Sequence, residues 1–456
     1  MLKKVIKGLN SEADGLKGSF LKNGLLTFIN QFGNLFLNLI LMIILRNYLG
    51  DKDNGIFVTG FTYAFLLAQI AIFGFDNLSI REVSSYITQN KFNALKKYFK
   101  YSITTVGLLS IVLTTISIAY FYLFKEAELA WYYTLSVILA PFLCLLMLLQ
   151  FNMLGMGDAV ASQTPEKLIR PLLLLIPVLI LHFLSDELKL WQALVINLIA
   201  FILVFLLAVR LFNQRKKQSL ALIQSNTEDS IPKNNIWLKA AFGLFIYSII
   251  GHINGKIDIV MLEHLGDVSD VTPYNTANRF GSFVAFGTLI VNQLFGPIIS
   301  NHFNRNEIGK LQQLIYKSSF FSLLIALPVL VFFHFGGMWM LELLFRTATE
   351  EEHAVLMIVS IGFLFQVLAG SAAFLLIMKK ETAHFATISI LVALIINILL
   401  NYLLIPSMGI IGASWGTAVA LLVWTLLMII FAYRKNNINP TCFSFKTLKA
   451  VFGKID

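Results

Sequence analysis

Long apolar segments separated by short polar ones fill most of the chain. Lipid offers no partner for backbone N–H and C=O groups, so a segment that crosses a bilayer is an α-helix unless it belongs to a closed barrel of alternating strands. The apolar runs here are continuous, and about 20 such residues span the hydrocarbon. The pattern therefore predicts an all-α integral membrane protein with about twelve transmembrane helices. The predicted spans are 22–45, 55–75, 100–124, 129–151, 168–184, 190–212, 240–262, 273–299, 317–343, 354–378, 383–405 and 411–433.

A polar connection divides these spans into two groups of six. Residues 213–236 are rich in Gln, Ser, Asn and charged side chains, which is typical of a flexible linker. A short repeat agrees with the division, since the first span ends in Tyr48-Leu49-Gly50-Asp51 and the seventh in His264-Leu265-Gly266-Asp267. The predicted organisation is a six-helix lobe over 1–212, a cytoplasmic linker over 213–236, a second six-helix lobe over 237–433 and a cytoplasmic tail over 434–456.

The composition excludes an ordinary soluble enzyme. Of the 456 residues 57% are hydrophobic and only 13% are charged, whereas soluble domains carry about 25% charged residues. Cys144 and Cys442 are too few for a disulfide framework or a metal cluster. No zinc-protease, serine-hydrolase or nucleotide-binding motif is present in the sequence. We expect no enzymatic chemistry, no cofactor and no metal site.

The charge balance predicts an orientation. The formal net charge is +10, from 35 Lys and Arg against 25 Asp and Glu. With both termini inside, 28 of the 35 basic residues fall on the inner side and 5 on the outer side, so the positive-inside rule favours an even number of spans. The excess thus indicates membrane topology and no nucleic-acid partner. The other 2 basic residues, Lys256 and Arg279, fall within predicted spans.

Amide side chains follow one face of the first span. Asn30, Asn34 and Asn38 recur every four residues and therefore lie on one side of a helix. Amides in hydrocarbon need partners, so this face either bonds neighbouring helices or lines a hydrated cavity, and the length of the stripe favours the lining. The second span repeats the pattern more thinly and ends near Asp76.

Spans seven and eight contain ionisable residues in their outer halves. Lys256 and Asp258 lie in the seventh, and Asn275, Asn278 and Arg279 share one face of the eighth. An ionised side chain at a helix centre costs about 2.5–3.5 kcal/mol, so such residues are functional candidates. One interpretation is a structural ion pair of Asp258 with Lys256 or Arg279, or snorkelling to the interface. The other, which we favour, is a site that binds an anion or gates its passage.

Two further arginines lie at helix ends, where a basic residue is either an interfacial anchor or part of a site. They are Arg46 at the outer end of span one and Arg81 at the inner end of span two. The ion-coupling candidates are Asp258 and Asp76. The substrate-binding candidates are Lys256, Arg279, Asp258, Arg46, Arg81, Asn30, Asn34, Asn38, Asn275 and Asn278.

Three motifs in order along the chain carry a family resemblance. They are Arg46–Gly50 with Gly55–Phe57, Gly74–Asp76 and Arg81–Val83; Lys256–Leu262 with Leu265–Gly266, Tyr274, Ala277–Arg279 and Pro297–Ser300; and Asn401–Pro406 with Gly409–Ser414. Together with the span count, they resemble the Wzx-type oligosaccharide flippases of the multidrug/oligosaccharidyl-lipid/polysaccharide (MOP) exporter superfamily. The likeness covers nearly the whole chain.

The resemblance implies a fold and a cargo. The fold would be two six-helix lobes around a central cavity lined by the first, second, seventh and eighth helices, working by alternating access. The cargo would be an oligosaccharide on undecaprenyl diphosphate, as used for O-antigen, capsule or exopolysaccharide, moved across a bacterial inner membrane. Amides would suit its hydroxyls and basic side chains its diphosphate. Further implied partners are membrane lipid, H⁺ or Na⁺, and polysaccharide polymerase or assembly proteins.

Two other functions compete with this one. A cation-coupled multidrug exporter of the same superfamily would favour an acidic, aromatic-lined cavity over a basic one. A membrane glycosyltransferase, polymerase or ligase would use the same charges for catalysis, and the short outer loops count against it.

Overall fold

A computed structural model describes residues 14–185, 188–222, 232, 234–305, 307–378, 382–436 and 438–441. Over this part of the chain the backbone is almost entirely helical and contains no strand. The predicted all-α membrane protein is confirmed. Residues 213–222 of the predicted linker are helical, residues 223–231 and 233 lie outside the described residues, and so does most of the predicted tail.

Sixteen α-helices make up the described part of the chain, and short turns of other helix types interrupt them. The turns are a π-helical one at Pro165–Ile169 and 3₁₀ turns at Val268–Asp270 and Ser282–Ala285. The helices are α1 (Asp14–Ile72), α2 (Phe75–Thr88), α3 (Phe92–Phe124), α4 (Ala127–Val137), α5 (Leu139–Gly155), α6 (Ala159–Thr164), α7 (Arg170–Ser185), α8 (Leu190–Leu222), α9 (Asn234–Asn254), α10 (Ile257–Leu265), α11 (Val271–Gly281), α12 (Phe286–Asn304), α13 (Ile308–Leu344), α14 (Glu350–Leu368), α15 (Ala372–Met378) and α16 (Ala383–Asn436).

Two of the helices are too long for one crossing. Ile29–Ile72 has 44 residues and Ala383–Asn436 has 54, and at about 1.5 Å per residue each exceeds twice the hydrocarbon thickness of about 30 Å. Each breaks at a glycine with a positive φ, 75° at Gly50 and 53° at Gly409. Since β-carbons disfavour that conformation, glycine is where these chains turn back. Each long helix is therefore two spans.

The remaining segments complete the count of crossings in the described residues. Eight helical segments, including the two long ones, are apolar and long enough to cross a membrane. Dividing the two long ones adds two crossings, and the interrupted segments 159–185 and 271–304 supply two more. The total agrees with the twelve spans that the hydrophobic pattern predicts.

The chain forms two compact units. Unit 1 comprises Met1–Tyr48 and Tyr63–Phe245, and unit 2 comprises Leu49–Thr62 and Ile246–Asp456. This division falls within α1 and within α9, and the lobes defined by the polar linker stay a prediction.

Close contacts explain why residues 49–62 belong to unit 2. A β-carbon on Gly55 would lie 2.1 Å from the carbonyl oxygen of Val268, so the two backbones touch. The Thr272 hydroxyl donates to the Asp51 carbonyl at 2.7 Å and accepts from the Asn54 amide at 3.2 Å. The turn after the first span is thus fixed to the beginning of α11.

Helix α16 is the central element of unit 2. It packs against α10, α11 and α14. Small residues permit this, as in other membrane helices: a β-carbon on Gly362 of α14 would lie 2.8 Å from the Cα of Ala418. The two halves of α16 thereby come within hydrogen-bonding reach of α10 and α11, where the ionisable residues lie.

Candidate functional site

The seventh predicted span is broken in the middle. Helix α9 ends at Asn254 and α10 begins at Ile257, and Lys256 between them has non-helical angles of φ −137° and ψ −11°. Interrupted helices within membranes create binding sites, because their free ends present backbone groups and partial charges. Asp258 lies in the first turn of α10, where the positive end of the helix dipole favours a negative charge.

Neutral polar groups surround the Asp258 carboxylate. Asp258 is only 3% exposed. The Asn401 amide donates to Oδ1 at 2.7 Å, and the Thr417 hydroxyl donates to Oδ2 at 3.0 Å. The Tyr274 hydroxyl lies 2.8 Å from that of Thr417. In the described structure Asp258 forms no ion pair, so the interpretation as an ion pair with Lys256 or Arg279 does not hold. Neutral donors of α16 bind the carboxylate instead.

Two amide oxygens beside this carboxylate have no hydrogen-bond partner among the described residues. They are Oδ1 of Asn397 and Oδ1 of Asn401, four residues apart on α16. Both point toward Gly416, since a β-carbon there would lie 3.0 Å and 2.3 Å from them. Buried polar atoms without partners are uncommon and need an explanation. The carboxylate, amide oxygens and hydroxyls form an oxygen-rich cluster, which we call the Asp258 cluster (Asp258, Tyr274, Asn397, Asn401 and Thr417).

Gly416→Ala is expected to disturb the Asp258 cluster and to lower stability by about 1–3 kcal/mol, the usual cost of overpacking a buried contact. The added methyl group would displace the Asn401 amide from the carboxylate. Thermal unfolding in detergent measures the effect. Gly309→Ala is the control, because a β-carbon at Gly309 meets nothing within 4 Å. Equal melting temperatures for the two variants would contradict this packing.

The two basic residues within the spans lie near the Asp258 cluster. Lys256 is half-buried and Arg279 is exposed. The Lys256 ammonium interacts electrostatically with both the Arg279 guanidinium and the Asp258 carboxylate. Lys256 and Arg279 present positive charge at the surface of unit 2, while the negative charge is buried.

A second interruption adjoins Arg279. Helix α11 ends at Gly281 and the 3₁₀ turn at Ser282–Ala285 follows, with the Ser282 hydroxyl donating to the Arg279 carbonyl at 2.6 Å. Asn275 is buried, whereas Asn278 is half-buried and its Oδ1 has no hydrogen-bond partner in the described residues.

In unit 1 the asparagines on one face of the first span, Asn30, Asn34 and Asn38, form some of their hydrogen bonds within the protein. The Asn30 amide donates to the Thr164 hydroxyl at 3.0 Å, which is a bond between helices. The Asn38 amide donates to the carbonyl and side-chain oxygens of Asn34 at 2.8 and 2.7 Å. Asn30 is buried, while Asn34 and Asn38 are half-buried. The interpretation as contacts between helices holds for Asn30 and also for Asn38, whose Oδ1 accepts a hydrogen bond from Nη2 of Arg170 at 3.1 Å.

The other predicted residues lie in different settings of unit 1. Arg46 is only 1% exposed, so the interpretation as an interfacial anchor is wrong. Arg81 is exposed and pairs with Glu82 at 3.0 Å. Asp76 is buried in the first turn of α2. Their assignment to a substrate or ion site stays a prediction.

Sequence reasoning missed the partners of Asp258. The partners lie in the last two spans: Asn397 and Asn401 in the eleventh and Thr417 in the twelfth. The sequence predicts site residues only in the first, second, seventh and eighth spans. A signal was present, because two amides four residues apart in an otherwise apolar helix share one face.

Known proteins resemble this chain in sequence and fold. The model of a family described as polysaccharide biosynthesis protein matches residues 20–301. No curated protein matches the chain. A multidrug resistance MATE family transporter of the MOP superfamily in an inward-facing conformation superposes with a TM-score of 0.66 at 12% identity, covering 89% of this chain and 94% of its own.

Two other solved structures superpose similarly. A mutant of the Vibrio cholerae MATE transporter VcmN has a TM-score of 0.60 at 19% identity, covering 92% of this chain and 98% of its own. A MOP superfamily transporter from Pyrococcus furiosus, for which a binding pocket of reverse polarity is described, has a TM-score of 0.61 at 12% identity, covering 91% and 95%. At such identities the likeness establishes the fold alone, and the predicted MOP-exporter fold is confirmed.

Proposed function

This chain belongs to the polysaccharide biosynthesis protein family, and we propose that it is a flippase for lipid-linked oligosaccharides. The cargo is an oligosaccharide on undecaprenyl diphosphate, a repeat unit of O-antigen, capsule or exopolysaccharide. It moves from the inner to the outer leaflet of a bacterial inner membrane. Such a headgroup cannot cross alone, because its sugars and diphosphate would lose their hydration. The lipid tail stays in the hydrocarbon throughout.

One observation carries the proposal: in unit 2 the accessible ionisable side chains within the predicted spans are positive, and the acidic one is buried. Arg279 is exposed and Lys256 half-buried within predicted spans, whereas Asp258 is 3% exposed and bonded to neutral groups. Accessible positive side chains attract anions and repel cations. A diphosphate also accepts charge-assisted hydrogen bonds from them. A cationic drug would meet repulsion from both side chains.

Amide side chains within each unit suit the sugars. Asn278, one residue from Arg279, is half-buried, and its side-chain amide is a hydrogen-bonding partner for hydroxyls. Asn34 and Asn38 are accessible amides on the first span. Amide side chains bond hydroxyls without the desolvation cost of full charges, so they tolerate sugars that must enter and leave.

The Asp258 cluster supplies the coupling ion site in this proposal. A buried carboxylate with two partnerless amide oxygens and a hydroxyl gives either a group that takes up H⁺ or a set of hard oxygen ligands for Na⁺. The described residues contain no group of three His, Cys, Asp or Glu that could bind a transition metal.

The broken helix links the ion to the cargo. Asp258 is two residues from Lys256, and Lys256 lies in the non-helical break. An ion that neutralises the carboxylate changes the electrostatic balance on the Lys256 ammonium, which Asp258 attracts and Arg279 repels. A ligand shifts a conformational equilibrium only by its differential affinity for the two states. Ion binding thereby changes anion affinity as the site faces first one leaflet and then the other.

Reconstitution in liposomes tests the proposal. Purified protein is incorporated with a short oligosaccharide on polyprenyl diphosphate, and a lectin or glycosidase added outside measures how fast the saccharide changes leaflet under an imposed H⁺ or Na⁺ gradient. We expect transfer above that of protein-free liposomes, and faster transfer with one of the two gradients.

The same liposomes separate the competing functions. Gradient-driven accumulation of a cationic dye without transfer of the diphosphate lipid would establish the multidrug exporter instead. A lengthened or transferred saccharide, detected by mass spectrometry, would establish a glycosyltransferase, polymerase or ligase.

A further inference from the structure

Helix α3 of unit 1 presents three lysines on one side near its beginning. Lys96, Lys97 and Lys100 are exposed, whereas Tyr98 and Phe99 between them are fully buried. At about 100° per residue, the three lysines occupy about 100° of the circumference of the helix. We call this side the lysine face (Lys96, Lys97 and Lys100).

Aromatic side chains border the lysine face on both sides. On one side, the Phe99 ring lies 5.1 Å from the ring of Phe212 on α8, and the Lys216 ammonium lies 5.8 Å from the Phe99 ring. On the other, the Lys97 ammonium lies 6.0 Å from the ring of Trp237 on α9. An ammonium at such a distance is attracted to the face of the ring. The rings therefore hold Lys97 in place and set Lys216 at the edge of the lysine face.

The same side of α3 continues as an apolar surface. Leu108 is 61% exposed and Ile111 is 58% exposed. Counted at about 100° per residue from Lys96, both lie in or next to the sector that the lysines occupy. They lie about 12 and 16 Å from Lys100 along the helix axis, which is about the depth of one half of a hydrocarbon core of about 30 Å. A single strip of the helix therefore changes from positive to apolar as it enters the membrane.

The described protein does not neutralise these lysines. Helix α3 has no acidic residue along its 33 residues. Lys96 and Lys100 form no hydrogen bond or ion pair within the described part of the chain, whereas the nearby Arg215 pairs with Asp158 at 2.6 Å. The positive-inside rule accounts for basic residues at this end of a span, but it does not require them on the side of the helix that faces lipid.

We propose that the lysine face, together with Lys216, is a binding site for an anionic phospholipid. The phosphate of the headgroup lies against the ammonium groups, and the acyl chains lie along Leu108 and Ile111. The predicted orientation places this lipid in the inner leaflet, where anionic headgroups attract basic segments. Ammonium groups are compact charges that bind phosphate without a fixed geometry, which suits a mobile lipid. The site concerns a lipid of the surrounding membrane and does not rest on the proposed function.

Lipid titration of the purified full-length protein in a non-ionic detergent tests this site. The two probes are phosphatidylglycerol and phosphatidylcholine with the same acyl chains, and native mass spectrometry counts the lipids bound. We expect the wild type to bind phosphatidylglycerol more tightly. Replacing Lys96, Lys97 and Lys100 together by Gln is expected to weaken that binding by about tenfold to a hundredfold, since each lysine at an anionic surface contributes about fivefold. Binding of phosphatidylcholine is expected to stay the same.

A matched control removes the same charge from unit 2. Arg305, Lys310 and Lys317 are exposed basic residues, and replacing all three by Gln is expected to leave binding of phosphatidylglycerol at the wild-type level. High salt provides a second check, because it screens exposed charges. At about 1 M NaCl the Debye length is about 3 Å, so the preference of the wild type for phosphatidylglycerol should fall to that of the variant without the lysine face.

Three results would overturn the site. They are equal wild-type affinities for the two phospholipids, wild-type affinity for phosphatidylglycerol in the variant without the lysine face, and an equal loss in the unit 2 control. A polyprenyl diphosphate that binds where phosphatidylglycerol does not would also overturn it, and would assign the lysines to the cargo. If the triple variant does not fold, Lys96→Gln and Lys100→Gln decide separately, each with an expected loss of about fivefold.

Discussion

Asp258→Asn is expected to abolish gradient-driven translocation while leaving folded protein in the membrane. The amide keeps the shape of the carboxylate and can rearrange its bonds to Asn401 and Thr417, so the helices stay packed. It cannot take up H⁺ or supply a charge to Na⁺. Removing one partner of a buried charge interaction costs about 3 kcal/mol or more, which is about a hundredfold in ion affinity. Transfer in liposomes with and without the gradient measures the loss.

A second acid in unit 2 provides the control. Asp267 accepts hydrogen bonds from the backbone and the hydroxyl of Ser269, both at 2.8 Å. These bonds hold the pKa of Asp267 below its usual range. The carboxylate therefore stays ionised at neutral pH and carries no proton there. Asp267→Asn is expected to retain gradient-driven transfer, and retention in Asp258→Asn as well would place the coupling group elsewhere.

Two variants of the Asp258 cluster identify the coupling ion. If the wild-type rate depends on Na⁺ at fixed pH, Asn397→Ala and Thr417→Val should raise the Na⁺ concentration needed for half-maximal rate, since each removes an oxygen from the Asp258 cluster. If the rate depends on a pH gradient alone, those two changes should shift its pH dependence instead.

The sequence predicts the crossings of this protein better than it predicts the contacts between them. Continuous apolar runs require helices in lipid whatever the tertiary structure, so the twelve spans follow from local composition. The Asp258 cluster does not follow in that way. Asn401 and Thr417 lie 143 and 159 residues from Asp258 in sequence, and only the packing of α16 on α10 brings them together.

The contacts of the charged residues are also harder to predict from the sequence than their positions in the spans. Lys256 and Arg279 are predicted at similar depths in adjacent spans, and in the structure the Lys256 ammonium interacts electrostatically with Arg279 and Asp258. The alternative of an ion pair with Asp258 does not hold, because donors on a third helix bind the carboxylate. The sequence places Arg170 among the inner basic residues, since a pattern of spans does not reveal that its guanidinium donates to Asn38 on the first span.

Replacing the two cations in unit 2 is expected to have the second large effect. Lys256→Gln and Arg279→Gln should each lower translocation of the diphosphate lipid by about tenfold to a hundredfold, the range for one charge-assisted hydrogen bond of about 1.5–3 kcal/mol. The loss should appear as weaker binding of the diphosphate lipid, because both side chains meet the ligand before it moves. Binding of the lipid to purified variants and transfer in liposomes together measure it.

Two control variants distinguish loss of a binding site from a general loss of positive charge. Lys317→Gln removes one positive charge from an exposed position of unit 2 and should bind and transfer as the wild type does. Arg279→Lys keeps the charge but loses the planar fork, so it should recover part of the affinity that Arg279→Gln loses. Full activity in both glutamine variants would remove Lys256 and Arg279 from the site.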